Sequence, residues 1–177
     1  MTLVTVFRSF PKQLFRVNNG RYVTLRVHRP NRVAYDIVAQ NGQVEPKALN
    51  LQTYVAPNGA SMRPNSPYQQ LLVSSSFRGP EVIIYAIAQG TQLPDDLLLV
   101  HERTDHYSLQ PGVPMSVDDL NRRITDFMWT TARAYTRKQW LEEFPKATEE
   151  SNFQGHPSRG KKNWTSNGGI NEFISPL

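Results

Sequence analysis

His106 is the residue of this chain best placed to do chemistry. An apolar run at residues 97–101 leads through Glu102-Arg103-Thr104-Asp105 to His106-Tyr107, and Ser116 opens a helix soon afterwards. That order sets a titratable ring where a strand end meets a loop, and an imidazole there can take or return a proton near neutral pH. The plainer role for such a residue is a strand-end histidine without function. Glu102 lies four residues earlier and would share a face with His106 only if the strand ran on through Thr104-Asp105, which those turn-forming residues argue against.

Other chemistries find little support. Paired carboxylates could run glycoside hydrolysis by acid and base, but Asp95-Asp96, Asp118-Asp119, Glu142-Glu143 and Glu149-Glu150 read as a turn, a helix cap, a helix end and a solvated tail. The 4 histidines (His28, His101, His106 and His156) are scattered and there is no cysteine, so disulfides and thiolate catalysis are excluded and no metal site is expected. No phosphate-cradling glycine loop, HExxH or GxSxG occurs.

Several elements must hold His106 in place. Residues 81–88, rich in Val and Ile and apolar on both faces, predict a central strand, and residues 97–101 another. Asn18-Asn19-Gly20 predicts a hairpin turn between strands at 13–17 and 22–27, from which Arg16 and Arg26 project. Five prolines between residues 43 and 80 predict loops with a short helical stretch near residues 68–73. Ser116 and Asp119 cap a helix whose stripe of Val117, Leu120, Ile124, Phe127, Thr131 and Tyr135 predicts one long helix to about Phe144, where Pro145 stops it.

The chain has 177 residues, 38% hydrophobic and 20% charged, with a net charge of +5. One domain at residues 1–145 is expected, followed by a polar, flexible tail at 146–177. No apolar run approaches the roughly 20 residues of a membrane span, and the N-terminus lacks the pattern of a secretory signal, so a cytoplasmic location is expected. The basic residues are dispersed, which suits a solvated surface better than a nucleic-acid footprint.

Four stretches and a closing Arg/Trp-containing helix complete the picture: Leu14-Phe15-Arg16-Val17; Tyr54-Val-Ala-Pro-Asn-Gly-Ala-Ser61; Ile87-Ala-Gln-Gly-Thr91-Gln-Leu-Pro94-Asp-Asp-Leu97; and His106-Tyr107-Ser-Leu-Gln-Pro111 with Met115. Together they resemble a type VI secretion effector family of toxins with an ADP-ribosyltransferase-like fold, which has related domains in fungal proteins. The resemblance covers about residues 14–140. It implies an α+β domain with a split mixed sheet and a long C-terminal helix, NAD as substrate with no metal, cleavage of the nicotinamide glycosidic bond, and a protein target or immunity protein as partner. By the same resemblance Arg16 holds phosphate, Ser61 supports the nicotinamide ribose and His106 falls near the third catalytic position. Asn58, Gly59, Arg63 and Tyr107 complete the expected NAD site: the small residues before Ser61 let backbone approach a ligand, Arg63 offers a second phosphate contact and Tyr107 stacks on nicotinamide. That third position usually carries a glutamate, and here it carries an imidazole.

Two other functions stay open at this level. One is a basic nucleic-acid-binding module using Arg26, Arg29, Arg32 and the helix arginines, with Tyr22, Tyr35 and Trp129 as stacking partners. The other is an inactive relative that binds NAD or a protein.

Overall fold

The computed structural model describes residues 4–149; most of the expected tail, with Trp164 and the glycosylation-like Asn163-Trp164-Thr165, lies outside them. Nine strands and three helices follow one another among the described residues. Strands β1 (Thr5–Phe7), β6 (Leu97–Arg103), β7 (His106–Pro111) and β4 (Ala60–Met62) form one sheet in the order β1-β6-β7-β4. A second sheet holds β2 (Leu14–Asn19), β5 (Val82–Ile87) and β9 (Arg133–Thr136) in that order. A two-stranded ribbon pairs β3 (Gln43–Val44) with β8 (Met115–Ser116).

Every ladder between these strands is antiparallel, which corrects the expectation of a mixed sheet. The split itself is present. The two larger sheets meet at a single bridge between Phe15 and Arg63, whose amides and carbonyls exchange bonds of 2.7 and 2.9 Å. Beyond it β2 and β4 part.

Alternation along β2 explains what the seam holds. Phe15 and Val17 turn into a core shared with Val73, Ile84, Tyr135 and Trp140, where the Phe15 and Trp140 rings meet edge to face at 5.3 Å. Leu14 turns the other way, into the main core of Leu97, Leu99, Leu109, Ile124 and Phe127. Burying rings and aliphatic chains of this size contributes roughly 1.5–3 kcal/mol each, so β2 is fixed from both sides and Arg16 between them is carried on a rigid strand. The apolar strand at residues 81–88 is central as expected, paired on both edges.

The predicted long C-terminal helix is two helices with a strand between. Helix α2 (Val117–Thr131) begins at Ser116, whose hydroxyl accepts from the Asp119 amide at 3.0 Å. In its last turn Thr130 and Thr131 donate their hydroxyls back to the carbonyls of Asp126 and Phe127 at 2.8 and 2.6 Å, and it ends where Ala132 turns extended. Residues 133–136 then complete the free edge of β5, and a Thr136–Gln139 capping box starts α3 (Arg137–Glu143). The stripe survived this break because Tyr135 is buried on the strand, as it would have been on a helix.

The hairpin expected around Asn18-Asn19-Gly20 does not form either. Strand β2 pairs with β5 instead, and the next stretch runs extended against α2, where Val23 and Leu25 donate their amides to Thr125 Oγ1 and Asn121 Oδ1 at 3.0 and 2.9 Å. Polar helix side chains satisfied the backbone that a partner strand was expected to satisfy. The proline-rich region forms loops around the five-residue helix α1 (Pro67–Leu71) and a π-helical turn at Leu72–Ser76. Among the described residues no helix is long and apolar enough to cross a membrane.

Candidate active site at the split between the sheets

Where β2 and β4 diverge, a cleft of ≈ 470 Å³ opens, lined among others by Arg16, Ser61, Arg63, Tyr68, Asp36 and Phe77. Arg16 enters from β2 and donates one terminal N–H to the Ser61 carbonyl at 3.1 Å and its Nε–H to Asn18 Oδ1 at 3.2 Å. Its second terminal nitrogen bonds no described residue and is free to meet an anion. Desolvation in the cleft, only partly offset by the charge of Asp36, draws the guanidinium down to about 10; it remains charged at neutral pH.

Ser61 stands opposite Ser108 in the β4–β7 ladder and turns its hydroxyl toward His106, with Oγ 3.0 Å from Nε2. The other ring nitrogen, Nδ1, lies 2.6 Å from Glu102 Oε2. The Nδ1–H does not point straight along that line, so the contact is mainly one of charge and dipole. In the tautomer that carries its proton on Nδ1, beside the carboxylate, the Nε2 lone pair is left to accept from the Ser61 hydroxyl.

Glu102 reaches His106 through backbone geometry that residue spacing does not express. The β6–β7 hairpin turns at Thr104-Asp105, with Thr104 at φ +38°. Register runs from His101 against Tyr107 to Arg103 against His106, which leaves Glu102 as the extra residue of a bulge. A bulge re-aims one side chain out of alternation, and here it aims the carboxylate at the histidine. The doubt that Glu102 shares a face with His106 is thereby corrected. Asp105 pins the turn, accepting from the Ser66 hydroxyl at 2.5 Å and lying 3.8 Å from Arg63 Nε.

Behind His106 the carboxylate is fully engaged. Glu102 Oε1 accepts from the Tyr54 hydroxyl, from Ser108 Oγ at 3.0 Å and from Gln110 Nε2 at 3.1 Å. Burial alone would raise this carboxyl, but the His106 contact and these donors outweigh it and hold it below its usual range. Burial and the same carboxylate push the Tyr54 phenol up. Glu102 therefore stays anionic, and Tyr54 stays a donor to it.

The expected NAD-binding residues divide into two groups. Arg16, Ser61 and Arg63 line the cleft, Arg63 with its guanidinium 4.6 Å over the Tyr68 ring, and His106 stands behind them, reaching the cleft through the Ser61 hydroxyl. Asn58, Gly59 and Tyr107 do not face the cleft. Asn58 is buried and donates to the Glu45 carbonyl at 3.0 Å and, at 3.4 Å, to Gln110, at the far end of the Glu102 network. Gly59 does permit close backbone approach, but to the neighbouring strand: a Cβ there would lie 2.0 Å from the Leu109 carbonyl oxygen. Tyr107 alternates away from His106 and stacks on His101 at 4.4 Å.

Asp36, which no motif in the sequence marks, also lines the cleft and accepts from the Arg26 amide at 2.8 Å and its Nε at 3.0 Å. Burial opposes the Asp36 charge, and the bonds from Arg26 outweigh it, so this carboxyl too lies below its usual range. Arg26, Arg122, Arg123 and Arg133 each pair with a carboxylate, and Tyr22 packs on Trp129 while Tyr35 packs on His28. Those four arginines and three aromatic residues, among the features weighed for nucleic acid, thus have partners within the protein, whereas the Arg32 side chain reaches only the Val27 carbonyl, at 3.4 Å, among the described residues. No group of three or more His, Asp or Glu residues suited to a metal occurs among the described residues.

The sequence profile of the family described as Tse2 ADP-ribosyltransferase toxin matches residues 12–140. The chain belongs to this toxin family. Tse2 toxins are type VI secretion effectors, and the match runs from just before β2 to α3, so it takes in Arg16, Ser61, Glu102 and His106 together. Among curated proteins, none matches the chain. Membership in the Tse2 family establishes the general role of an ADP-ribosyltransferase toxin, and ADP-ribosyltransferases use NAD as their substrate.

Proposed function

We propose that this chain binds NAD in the cleft between its two sheets, breaks the bond between nicotinamide and its ribose, and passes ADP-ribose to an acceptor. The observation that carries this reading is the meeting of an anion-binding guanidinium, Arg16, with the Ser61–His106–Glu102 relay at one place, 3.1, 3.0 and 2.6 Å apart in sequence. Arg16 presents planar donors to the diphosphate and keeps its charge there, and Arg63 adds a second positive group. Ser61 faces the nicotinamide ribose.

As nicotinamide departs, C1′ becomes electron-poor and oxocarbenium-like. A negative charge fixed in advance near that atom stabilises the transition state more than the ground state. Glu102 supplies that charge one imidazole away: His106 holds its proton toward Glu102 and its lone pair toward Ser61, which leaves the Ser61 oxygen electron-rich toward the sugar. On this reading Glu102 stands in for the carboxylate that seemed missing from the sequence, displaced behind a histidine.

The partners on this reading are NAD, a protein target and an immunity protein, with the cytoplasm as the site of action. The direct test is nicotinamide release from NAD by the purified protein, beside growth inhibition on expression in a sensitive host. Release that disappears in Arg16→Ala and His106→Ala supports it. An NAD-dependent thermal shift without release points instead to an inactive NAD-binding relative, and neither shift nor release overturns the reading.

A further inference from the structure

Ser61 and Ser108 stand opposite each other in one ladder, yet their hydroxyls meet different fates. Ser108 is buried and donates directly to the Glu102 carboxylate at 3.0 Å; it is a fixed support. Ser61 lines the cleft and meets an imidazole nitrogen whose opposite side abuts that same carboxylate. A hydroxyl, a base in hydrogen-bond reach and a third group that orients the base make up an activated nucleophile, whatever the electrophile. Acyl transfer would further require converging donors for an oxyanion, and Ser61 sits mid-strand rather than at a helix N-terminus or backbone nest. Attack on a sugar C1′ forms no oxyanion and needs none.

We infer that Ser61 is itself an acceptor of ADP-ribose, which rests on the reading that NAD is cleaved in this cleft. Its hydroxyl oxygen attacks C1′ of the nicotinamide ribose and an O-glycosidic bond forms. The C1′–nitrogen bond breaks with its electron pair passing to nicotinamide, which leaves neutral. The hydroxyl proton moves to His106 Nε2, and the imidazolium so formed lies against Glu102. NAD is the sole co-reactant, and the products are nicotinamide and a protein carrying ADP-ribose on Ser61. Arg16 makes the geometry workable, because the guanidinium that would hold the diphosphate already bonds the carbonyl of the attacking residue.

The test uses the full chain and NAD labelled in its adenylate part, quenched in denaturant at times from the first turnover to completion, with nicotinamide measured in parallel. The expected result is label on the peptide that contains Ser61, absent from Ser61→Ala and His106→Gln and retained by Ser61→Thr. Nicotinamide release should fall about 100-fold or more in Ser61→Ala, while its melting temperature stays near that of the parent protein. Nicotinamide release by the wild-type protein with no label on that peptide at any time overturns this inference and leaves the cleavage reading standing. Label that persists in Ser61→Ala overturns it as well. Absence of nicotinamide release from the wild-type protein defeats both readings together.

Discussion

His101 and His106 belong to one hairpin, five residues apart, and face opposite sides of it. His101 lies flat against the Tyr107 ring, with Nε2 2.8 Å from the Thr104 carbonyl, and pairs with no carboxylate among the described residues. His106 stands between a cleft hydroxyl and a buried anion. The side chain is the same and the environments are not, so the difference comes from one bulged residue and from which face the sheet leaves open. Chemistry here is assigned by neighbours, and a histidine without an oriented partner is packing.

Substitutions at the two positions should separate them sharply. The largest expected effect is at the relay: His106→Ala and Glu102→Gln should each lower nicotinamide release by about 10²–10⁴-fold, read in a coupled assay, with the melting temperature of the histidine variant nearly unchanged. Equal effects at His101 and His106 would dissolve the comparison. Arg16→Ala should weaken NAD binding by about 10- to 100-fold in calorimetry, since one or two charge-assisted hydrogen bonds are lost. Lysine at that position should recover only part of it, because a point charge does not reproduce the planar fork.

Two smaller effects bear on what stands behind the histidine. Gly59→Ala forces a methyl group against the Leu109 carbonyl and should cost about 1–3 kcal/mol, seen as a melting-temperature fall of several degrees. Acid should tell wild type from Glu102→Gln. The folded state holds the Glu102 carboxyl below its ordinary value, so its stabilising contribution is present above the usual carboxylate range and is lost as pH falls through the depressed value. The gap in melting temperature between the two proteins should therefore be widest near neutral pH and narrow as acidification goes below the usual carboxylate range. The smallest effect is at the other histidine: His101→Ala should leave nicotinamide release within about twofold, as for a surface residue outside the relay.

Much of the framework was legible in the sequence because local pattern and tertiary environment agreed. The Val- and Ile-rich run at residues 81–88 is central because both faces are apolar, and Ser116 caps a helix because its hydroxyl precedes an unsatisfied amide. Where they disagreed, local pattern misled. Residues 22–27 alternate like a hairpin strand but are satisfied by Thr125 and Asn121 of a helix, a contact about a hundred positions away. The helix end was signalled by Thr136-Arg-Lys-Gln139, a capping box that restarts a helix, though the Tyr135 stripe concealed it. In the site, Arg16, Ser61 and His106 do come together, and Glu102 does so through a bulge that no periodicity encodes. Gly59 illustrates the reverse: its freedom from Cβ was correctly taken as a sign of close approach, but the approaching group is another strand.

The seam between Phe15 and Arg63 has a consequence for reach. Two backbone bonds stitch the sheets there, and Leu14 and Ile87 of one sheet pack with Leu99 and Leu109 of the other in the main core, so the two leaves are held at one angle by packing as well as by the stitch. Arg16 rides on one leaf and Ser61 on the other. The span from anchored diphosphate to reacting hydroxyl is therefore set by an angle between leaves as much as by any side-chain rotamer, and deuterium uptake at the Phe15 and Arg63 amides is the gauge of that angle.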